Sequence, residues 1–335
     1  HLYARNMPLA VEEGRRAVEI YPDHVMPRAN LALYLMYAGR FAESSEEAAR
    51  VLEANPAYEL AFVAQALSAL GSGDPKTAIE RYEALKSVSA WGASMASAGL
   101  ADVALYEGRL GDAVAILESG IRGDRAAENE GEAARKLATL AEAQAALGRK
   151  AEAHTAADDA VASSRRPSVV LPAALAYLDL GHEETAAELA GELSALVGPD
   201  PQVYSKLILA QVELSRGEPQ RAIAVMGEAQ QILDTWLGRY LLGRAYLEAG
   251  AFTEAHSELE RCLERRGEAA ALFLDDVPTY HVLPPVHYWL GRALEGLGSA
   301  AAVDSYRIYL EIKANADGDP LVANARQRFA RIDQN

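Results

Sequence analysis

Residues 236–264 read WLGRYLLGRAYLEAGAFTEAHSELERCLE, and this stretch contains the pattern that decides the fold. The small residue Gly243 is followed seven residues later by Gly250, and Ala255 comes five residues after that glycine. The same spacing recurs along the chain at intervals close to 34 residues. The equivalent small residues of the other units are Ala32, Ala66, Ala101, Ala141, Ala174, Ala210 and Gly291. Self-similarity at this period predicts stacked helical hairpins, because each repeat is one supersecondary unit.

Each repeat has the pattern of two helices joined by a short turn. In the first complete unit, RANLALYLMYAG (28–39) has apolar residues at helical spacing and ends in a glycine. The return helix is FAESSEEAARVLEAN (41–55), and the proline that follows it is a residue that ends helices. The sequence therefore predicts an all-α fold in the form of an α-solenoid.

The unit at 236–264 resembles a tetratricopeptide repeat (TPR). The residues that match the family pattern are Arg239, Tyr240, Leu242, Gly243, Tyr246, Gly250, Phe252 and Ala255. The resemblance extends over nearly all of the chain, as about eight full units and a leading half unit. It implies an α-solenoid of TPR hairpins that forms a right-handed superhelix, with a function in protein–protein interaction.

The repeats predict a single solenoid over residues 1–335. Its parts are a half repeat (1–23), seven repeats (24–266), an insertion (267–283), a last repeat (284–315) and a C-terminal capping helix (318–333). Two intervals exceed the period: Ala101 to Ala141 spans 40 residues, and Gly243 to Gly291 spans 48 and contains the insertion.

The C-terminal part of the chain, including VHYWLGRALEGLGS (286–299), carries a second resemblance. It is similar to the last TPR modules of some bacterial multidomain signalling proteins, in which the repeats follow a Ser/Thr kinase or cyclase-type domain. The chain also begins at His1, within a repeat. Together these features predict the TPR module of a larger bacterial signalling protein.

Composition restricts the class of partner. The net charge is −16, the isoelectric point is near 4.9, and no basic stripe is present, so we expect no nucleic acid and no anionic membrane surface as partners. Cys262 is the only cysteine, which favours a reducing compartment. The predicted location is cytoplasmic, or periplasmic if a membrane segment preceding the chain has been removed.

No catalytic motif is recognisable. There is no Gly-rich phosphate loop, and His182-Glu183 is followed by Ala186 where a zinc protease helix has its second histidine. Asp275, Asp276, Tyr280, His281 and His287 of the insertion lack a metal-ligand spacing. We expect no enzyme activity, no cofactor and no metal, and instead a loop that Phe273-Leu274 and the prolines hold across the groove or over the adjacent unit.

The resemblance also predicts which residues face the concave groove, since TPR groove positions are the second, fifth, ninth and twelfth of each unit. The apolar residues so placed that we predict to bind a peptide are Met26, Leu33, Met36, Leu60, Val63 and Leu67. Methionine suits adaptable peptide contacts. The alternative is that these faces pack on another part of the same molecule.

The last two units differ, because they place Tyr240 with Arg244 and Tyr288 with Arg292 at groove positions. Two guanidinium groups one repeat apart are predicted to clamp a carboxylate or an acidic peptide. The alternative is pairing within each helix, with Glu248 and Glu295 as the partners.

Two functions follow from these features. The first is a non-enzymatic scaffold that binds a partner protein or peptide on its concave groove. The second is a structural protein that self-associates through an open N-terminal edge containing Leu9, Val11 and Val18.

Overall fold

The protein is all-α. The computed structural model describes residues 1–274 and 277–333, and this part of the chain forms eighteen α-helices and three short 3-10 helices, without a β-strand. The helices follow one another as antiparallel pairs joined by tight turns. The predicted all-α class of tandem helical hairpins is confirmed.

The chain divides into two compact units, and the division does not follow the sequence order. The first unit consists of His1–Val103 and Arg265–Tyr280, and the second of Ala104–Glu264 and His281–Asn335. The first five helices belong to the first unit, and the sixth runs through the boundary at Val103. They are α1 (Met7–Ile20), α2 (Val25–Tyr37), α3 (Phe41–Ala54), α4 (Glu59–Gly71), α5 (Pro75–Lys86) and α6 (Ala90–Glu107).

The second unit contains the remaining helices. They are α7 (Leu110–Ala126), α8 (Glu130–Ala146), α9 (Lys150–Ser163), α10 (Pro167–Asp179), α11 (Glu183–Ser194), α12 (Pro199–Ser215), α13 (Pro219–Ile232), α14 (Trp236–Glu248), α15 (Phe252–Glu264), α16 (Pro284–Gly296), α17 (Ala302–Ile312) and α18 (Pro320–Asp333). The 3-10 helices are Leu2–Ala4, Arg266–Ala271 and Tyr280–Val282.

The repeated glycines form the turns of the hairpins. All eight have φ between 68° and 85°, a left-handed conformation that is unfavourable for residues with a Cβ. At Gly39 the glycine N–H donates to the Met36 carbonyl (2.9 Å) and the Arg40 N–H donates to the Leu35 carbonyl (2.8 Å). These bonds satisfy carbonyls at the end of α2 and reverse the chain within the three residues that separate α2 from α3. The eight glycines are Gly39, Gly73, Gly108, Gly148, Gly181, Gly217, Gly250 and Gly298.

The small residues lie where paired helices approach most closely. Ala32 and Ser44 are both fully buried, and the Ser44 hydroxyl donates to the Ala32 carbonyl at 2.8 Å, across the α2–α3 hairpin. At the equivalent glycine of the last repeat, a Cβ on Gly291 would lie 2.7 Å from the ring of Tyr306 on α17. A larger side chain at these positions would force the hairpin apart.

Aromatic residues connect one repeat to the next. Phe41 at the start of α3 fills the space beside Gly71 at the end of α4, where a Cβ would lie 2.3 Å from the ring. Phe252 at the start of α15 packs in the same way on Gly296 of α16, with a corresponding distance of 2.4 Å. The same complementary pair thus holds neighbouring repeats together in both units.

The two ends of the second unit meet. Lys313, which follows α17, is buried and donates to the Leu105 carbonyl at 2.8 Å, and its ammonium lies 3.3 Å from the Asp319 carboxylate. The Asp317 N–H donates to the Gly108 carbonyl at 3.0 Å, and its carboxylate accepts from the Gly111 N–H at 3.2 Å. The turn between α17 and α18 therefore packs on the turn between α6 and α7.

The extra residues between Ala101 and Ala141 lengthen two helices. Helices α7 and α8 have 17 residues each, whereas α2 has 13. In the added length, the ammonium of Lys136 lies 2.5 Å from the carboxylate of Asp124, and both side chains are buried. Burial lowers the pKa of Lys136 even though the Asp124 carboxylate opposes the shift. The pair is a buried interaction of the α7–α8 hairpin.

Lys136→Met should destabilise the protein by about 3–5 kcal/mol, because it leaves the Asp124 carboxylate buried without its partner. The double variant Lys136→Met/Asp124→Leu should recover most of that loss. Urea unfolding followed by circular dichroism measures both effects. Arg307→Met, which removes an exposed pair with Asp304, is the control and should cost no more than about 1 kcal/mol. A Lys136→Met variant with the same free energy of unfolding as wild type would contradict the assignment of Lys136 and Asp124 as a buried ion pair.

Candidate functional site

Helices α2 and α4 of the first unit present an apolar groove. We use this name for Leu33 and Met36 of α2, Leu60, Val63 and Leu67 of α4, and Met95 of α6, which line one cleft. Residues three or four apart on a helix share a face, which explains why the predicted groove positions lie together. Met26 is elsewhere: its side chain is 64% exposed at the start of α2, and it is not among the residues that line this cleft.

A segment of the same chain covers the apolar groove. This groove segment (residues 265–274 and 277–280) is the described part of the insertion that belongs to the first unit. Its residues Ala271, Leu274, Val277 and Pro278 line the same cleft from the opposite side. The alternative that these faces pack on another part of the molecule therefore describes the contacts in the first unit. That the same residues bind a peptide from another protein stays a prediction.

Hydrogen bonds fold the groove segment into a closed loop. The Thr279 N–H donates to the Ala270 carbonyl (3.0 Å), the Thr279 hydroxyl donates to the Ala269 carbonyl (3.0 Å), and the Leu272 N–H donates to the Thr279 hydroxyl (2.8 Å). The loop ends at Tyr280, whose N–H donates to the buried Asp102 carboxylate of α6 at 3.1 Å.

In the second unit, α14 and α16 form an arginine–aromatic cluster, by which we mean Tyr240, Arg244, Tyr288, Trp289 and Arg292. The Arg244 guanidinium lies 5.1 Å from the centre of the Trp289 ring and 5.9 Å from that of Tyr240. Arg292 lies 6.0 Å from the same indole, whose N–H donates to the Tyr240 hydroxyl at 3.1 Å. Contacts of a cation with ring faces at these distances are attractive. The four predicted residues are thus brought together, around a tryptophan that the prediction lacked.

Neither arginine has an acidic partner within its own helix. Glu295 accepts hydrogen bonds from Arg328 at 2.7 Å, from Arg331 and from the Tyr306 hydroxyl at 2.9 Å. Among residues 1–274 and 277–333, no carboxylate lies within 4 Å of Arg244 or Arg292. The pairing with Glu248 and Glu295 is therefore absent from the described structure.

Two acidic residues of the second unit lie within electrostatic range of the cluster. The pKa of Glu142 on α8 lies below its ordinary value. Partial desolvation favours a higher pKa, but the positive charges of His281, 3.5 Å away, and of Lys313 outweigh that effect. Partial desolvation and the charge of Glu142 raise the pKa of Asp179 on α10, although its side chain reaches the solvent, and Arg244 partly offsets this shift. The positive charge of Arg244 therefore lowers the pKa of Asp179, although the two side chains do not form a direct ion pair.

Other candidate chemistry finds little support in the described part of the chain. No three His, Cys, Asp or Glu side chains there are grouped as a metal site would require, while Asp275 and Asp276 lie outside the described residues. Cys262 is fully buried. None of the described helices combines the length and apolar character needed to cross a bilayer.

Sequence reasoning missed two contributors to these sites. Trp289 directly follows a groove position, so the repeat pattern alone does not place its side chain in the groove. Its large ring nevertheless contacts Arg244 and Tyr240 of the neighbouring helix α14. The insertion was expected to be held by the prolines and Phe273-Leu274. Leu274 and Pro278 do line the cleft, and Val277 is the contributor that the prediction lacked. The sequence feature that could have indicated a role for Trp289 is its position directly after Tyr288, which places two aromatic residues side by side at the groove.

Comparison with known proteins supports the resemblance to TPRs. The family profile described as Tetratricopeptide repeat matches residues 30–85 and 63–128. No curated protein sequence matches the chain. Human IFIT1, in the structure "Human IFIT1 dimer with PPP-AAAA", is similar in fold: the TM-score is 0.53 at 14% identity, over 93% of this chain and 69% of that one.

Two further solved structures align with lower scores. A tetratricopeptide repeat protein from Parabacteroides merdae ATCC 43184 aligns over 84% of this chain and 100% of its own, with 14% identity and a TM-score of 0.47. The APC/C hetero-tetramer Cut9-Hcn1 aligns over 99% of this chain at 14% identity, with a TM-score of 0.45. The chain spans about half (53%) of the length of that Cut9-Hcn1 chain.

Glu142→Gln and Asp179→Asn should change stability in opposite directions at pH 6. Glu142 has a lowered pKa, so its ionised form stabilises the fold above its ordinary value of 4.5, and the amide should be less stable. Asp179 has a raised pKa, so its charge opposes folding, and the amide should be more stable. Thermal unfolding from pH 3 to pH 6 measures both.

The pH dependence is the control for this pair of variants. The deficit of Glu142→Gln should vanish as the pH falls through the lowered pKa of Glu142. The gain of Asp179→Asn should vanish below pH 3.8, the ordinary pKa of an aspartate. Shifts of the same sign for both variants at pH 6 would contradict the electrostatic account.

Proposed function

We propose that the chain is a TPR protein over its whole length and acts as a non-enzymatic scaffold that binds a protein or peptide partner on groove-facing helices. The hairpin fold and the profile match over residues 30–128 support the class. The observation that carries the proposal is the arginine–aromatic cluster. Its two guanidinium groups have no carboxylate partner in the described structure, in a chain with 48 acidic and 32 basic residues.

The cluster fits an acidic segment of a partner. The guanidinium groups of Arg244 and Arg292 lie 5.1 Å and 6.0 Å from the centre of the Trp289 ring, so carboxylates of one extended segment can reach both. Each guanidinium offers a fork of donors that matches a carboxylate, and the ring beneath it fixes its position. Charge pairing of this kind contributes specificity in addition to affinity.

The wider context is part of the same proposal. The chain acts as the TPR module of a larger bacterial signalling protein in the cytoplasm, and neither nucleic acid nor a membrane is its direct partner. This part rests on the resemblance of the C-terminal repeats and on the net charge of −16. The full reading frame tests it, because a kinase or cyclase domain encoded before the repeats is expected.

Arg244→Glu/Arg292→Glu should weaken binding of an acidic peptide at least tenfold, since two attractive contacts become repulsive. The probe is a fluorescein-labelled, glutamate-rich peptide, and fluorescence anisotropy gives its dissociation constant. Arg165→Glu/Arg221→Glu is the matched control, because it makes the same change in charge at side chains that are 56% and 70% exposed. If both double variants lost the same affinity for the peptide, the loss would come from the change in net charge alone, and this result would contradict a binding site at the cluster.

Self-association is the second candidate, and exposed apolar side chains at the N-terminal end support it. Tyr3, Ile20 and Met26 are 68%, 67% and 64% exposed. The edge differs in part from the one expected, because Val11 is buried against Leu31 and Leu35, whereas Leu9 is 38% exposed. A second copy that covers these side chains would remove apolar surface from water.

If this second candidate holds, the mass measured by size-exclusion chromatography with light scattering should rise above 35.9 kDa with protein concentration. Ile20→Ser/Met26→Ser should then restore the monomer, because it removes the apolar contact. Val197→Ser/Leu209→Ser, at side chains that are 99% and 39% exposed elsewhere, should have no effect. A wild-type mass of 35.9 kDa at all concentrations would exclude self-association through this edge.

A further inference from the structure

We infer that the acidic partner segment also carries a lysine or an arginine, which pairs with Asp179 while the carboxylates of the segment pair with Arg244 and Arg292. The inference rests on the proposed function and deepens it, because it defines the partner as a segment of mixed charge with a fixed order. All three residues belong to the second unit.

The first argument is that Asp179 is a carboxylate without a partner. It is the last residue of α10, and its side chain is exposed. Within the described ranges of the chain, this side chain makes no ion pair and no hydrogen bond. Its pKa nevertheless responds to the charges of Glu142 on α8 and Arg244 on α14, the first helices of two other hairpins. Asp179 therefore lies on the side of α10 that faces these helices, where a partner segment would run.

The second argument is that the surroundings of Asp179 favour a cation beside it. Partial desolvation and the negative charge of Glu142 raise the pKa of Asp179, so both work against its ionised form. Arg244 offsets only part of this effect. An ammonium or guanidinium group in contact with Asp179 would relieve the remaining penalty. Such a cation therefore gains more here than at an ordinary exposed carboxylate.

The third argument is that Arg244 is held away from Asp179. The Arg244 guanidinium lies 5.1 Å from the centre of the Trp289 ring and 5.9 Å from that of Tyr240. The indole N–H donates to the Tyr240 hydroxyl at 3.1 Å, which fixes the two rings relative to each other. Because these contacts keep the guanidinium beside the rings, two opposite charges within electrostatic range stay unpaired.

The order of the helices defines the order of charges in the partner. Helix α10 packs on α12, α12 on α14, and α14 on α16, so Asp179, Arg244 and Arg292 follow one another along the unit. A segment that crosses these helices meets the carboxylate first and the two guanidinium groups afterwards. A basic residue followed by acidic residues, in one of the two chain directions, pairs with all three. A purely acidic segment would instead bring a carboxylate close to Asp179.

Fluorescein-labelled peptides with two glutamates and one lysine provide the test. In this series the lysine precedes or follows the glutamates by one to about five residues, and each peptide has a control with glutamine in place of lysine. Fluorescence anisotropy gives the dissociation constants. The best lysine peptide should bind at least about fivefold more tightly than its glutamine control, because it adds an ion pair at Asp179. A series in which no lysine peptide binds more tightly than its control would overturn the inference.

Asp179→Asn separates this contact from the net charge of the protein. The variant should bind the best lysine peptide about fivefold more weakly than wild type does, but the glutamine control more tightly, because a carboxylate that repels the glutamates is removed. Glu188→Gln, which removes an exposed carboxylate on α11, is the matched control and should leave the preference for lysine unchanged. A preference for lysine that persists in Asp179→Asn at its wild-type size would overturn the inference.

The proposed function and this inference fail separately. Arg244→Glu/Arg292→Glu reports on the acidic contacts through the glutamine control peptide, whereas Asp179→Asn reports on the added lysine. If the double variant loses the glutamine peptide but lysine adds no affinity in wild type, the acidic site stands without the second charge. If neither peptide responds to the double variant, the acidic site itself is wrong.

Discussion

The close approach of two helices across a left-handed glycine is the constraint on which the rest of the structure depends. At Gly39 the chain reverses within three residues, so the last turn of α2 lies against the first turn of α3. Ala32 and Ser44 then meet with no space for a larger side chain. Because every repeat uses the same two devices, each hairpin is specified locally and its stability depends mainly on its neighbours.

Such hairpins leave one face of each first helix without a partner in its own repeat. In the second unit that face carries Arg244 and Arg292, which water can solvate. In the first unit it carries Leu33, Met36 and Leu67, whose exposure would cost about 25 cal/mol for each Å² of apolar surface. The groove segment covers these residues.

Much of the fold could be predicted because a repeat pattern reports contacts between neighbours in sequence. The glycine turns, the buried small residues and the grouping of Leu33 with Leu67 all follow from spacing within one or two repeats. Contacts between distant parts of the chain do not. Gly267 beside Gly39, and Asp317 beside Gly111, join residues more than 200 positions apart. Their meeting depends on the rotation that accumulates over several repeats, which no single spacing records.

For the acidic partner proposed above, the electrostatics of the second unit would decide how it is recognised. Net charge of −16 repels an acidic segment at a distance, so long-range steering does not bring it to the protein. Asp179, within electrostatic range of Arg244, and Glu142, within electrostatic range of Tyr240, extend that repulsion to the vicinity of the cluster. Attraction begins only when carboxylates come within a few ångströms of the guanidinium groups. In the proposed mode of binding, recognition at this site therefore depends on short-range contacts of the acidic segment with the two guanidinium groups beside Trp289.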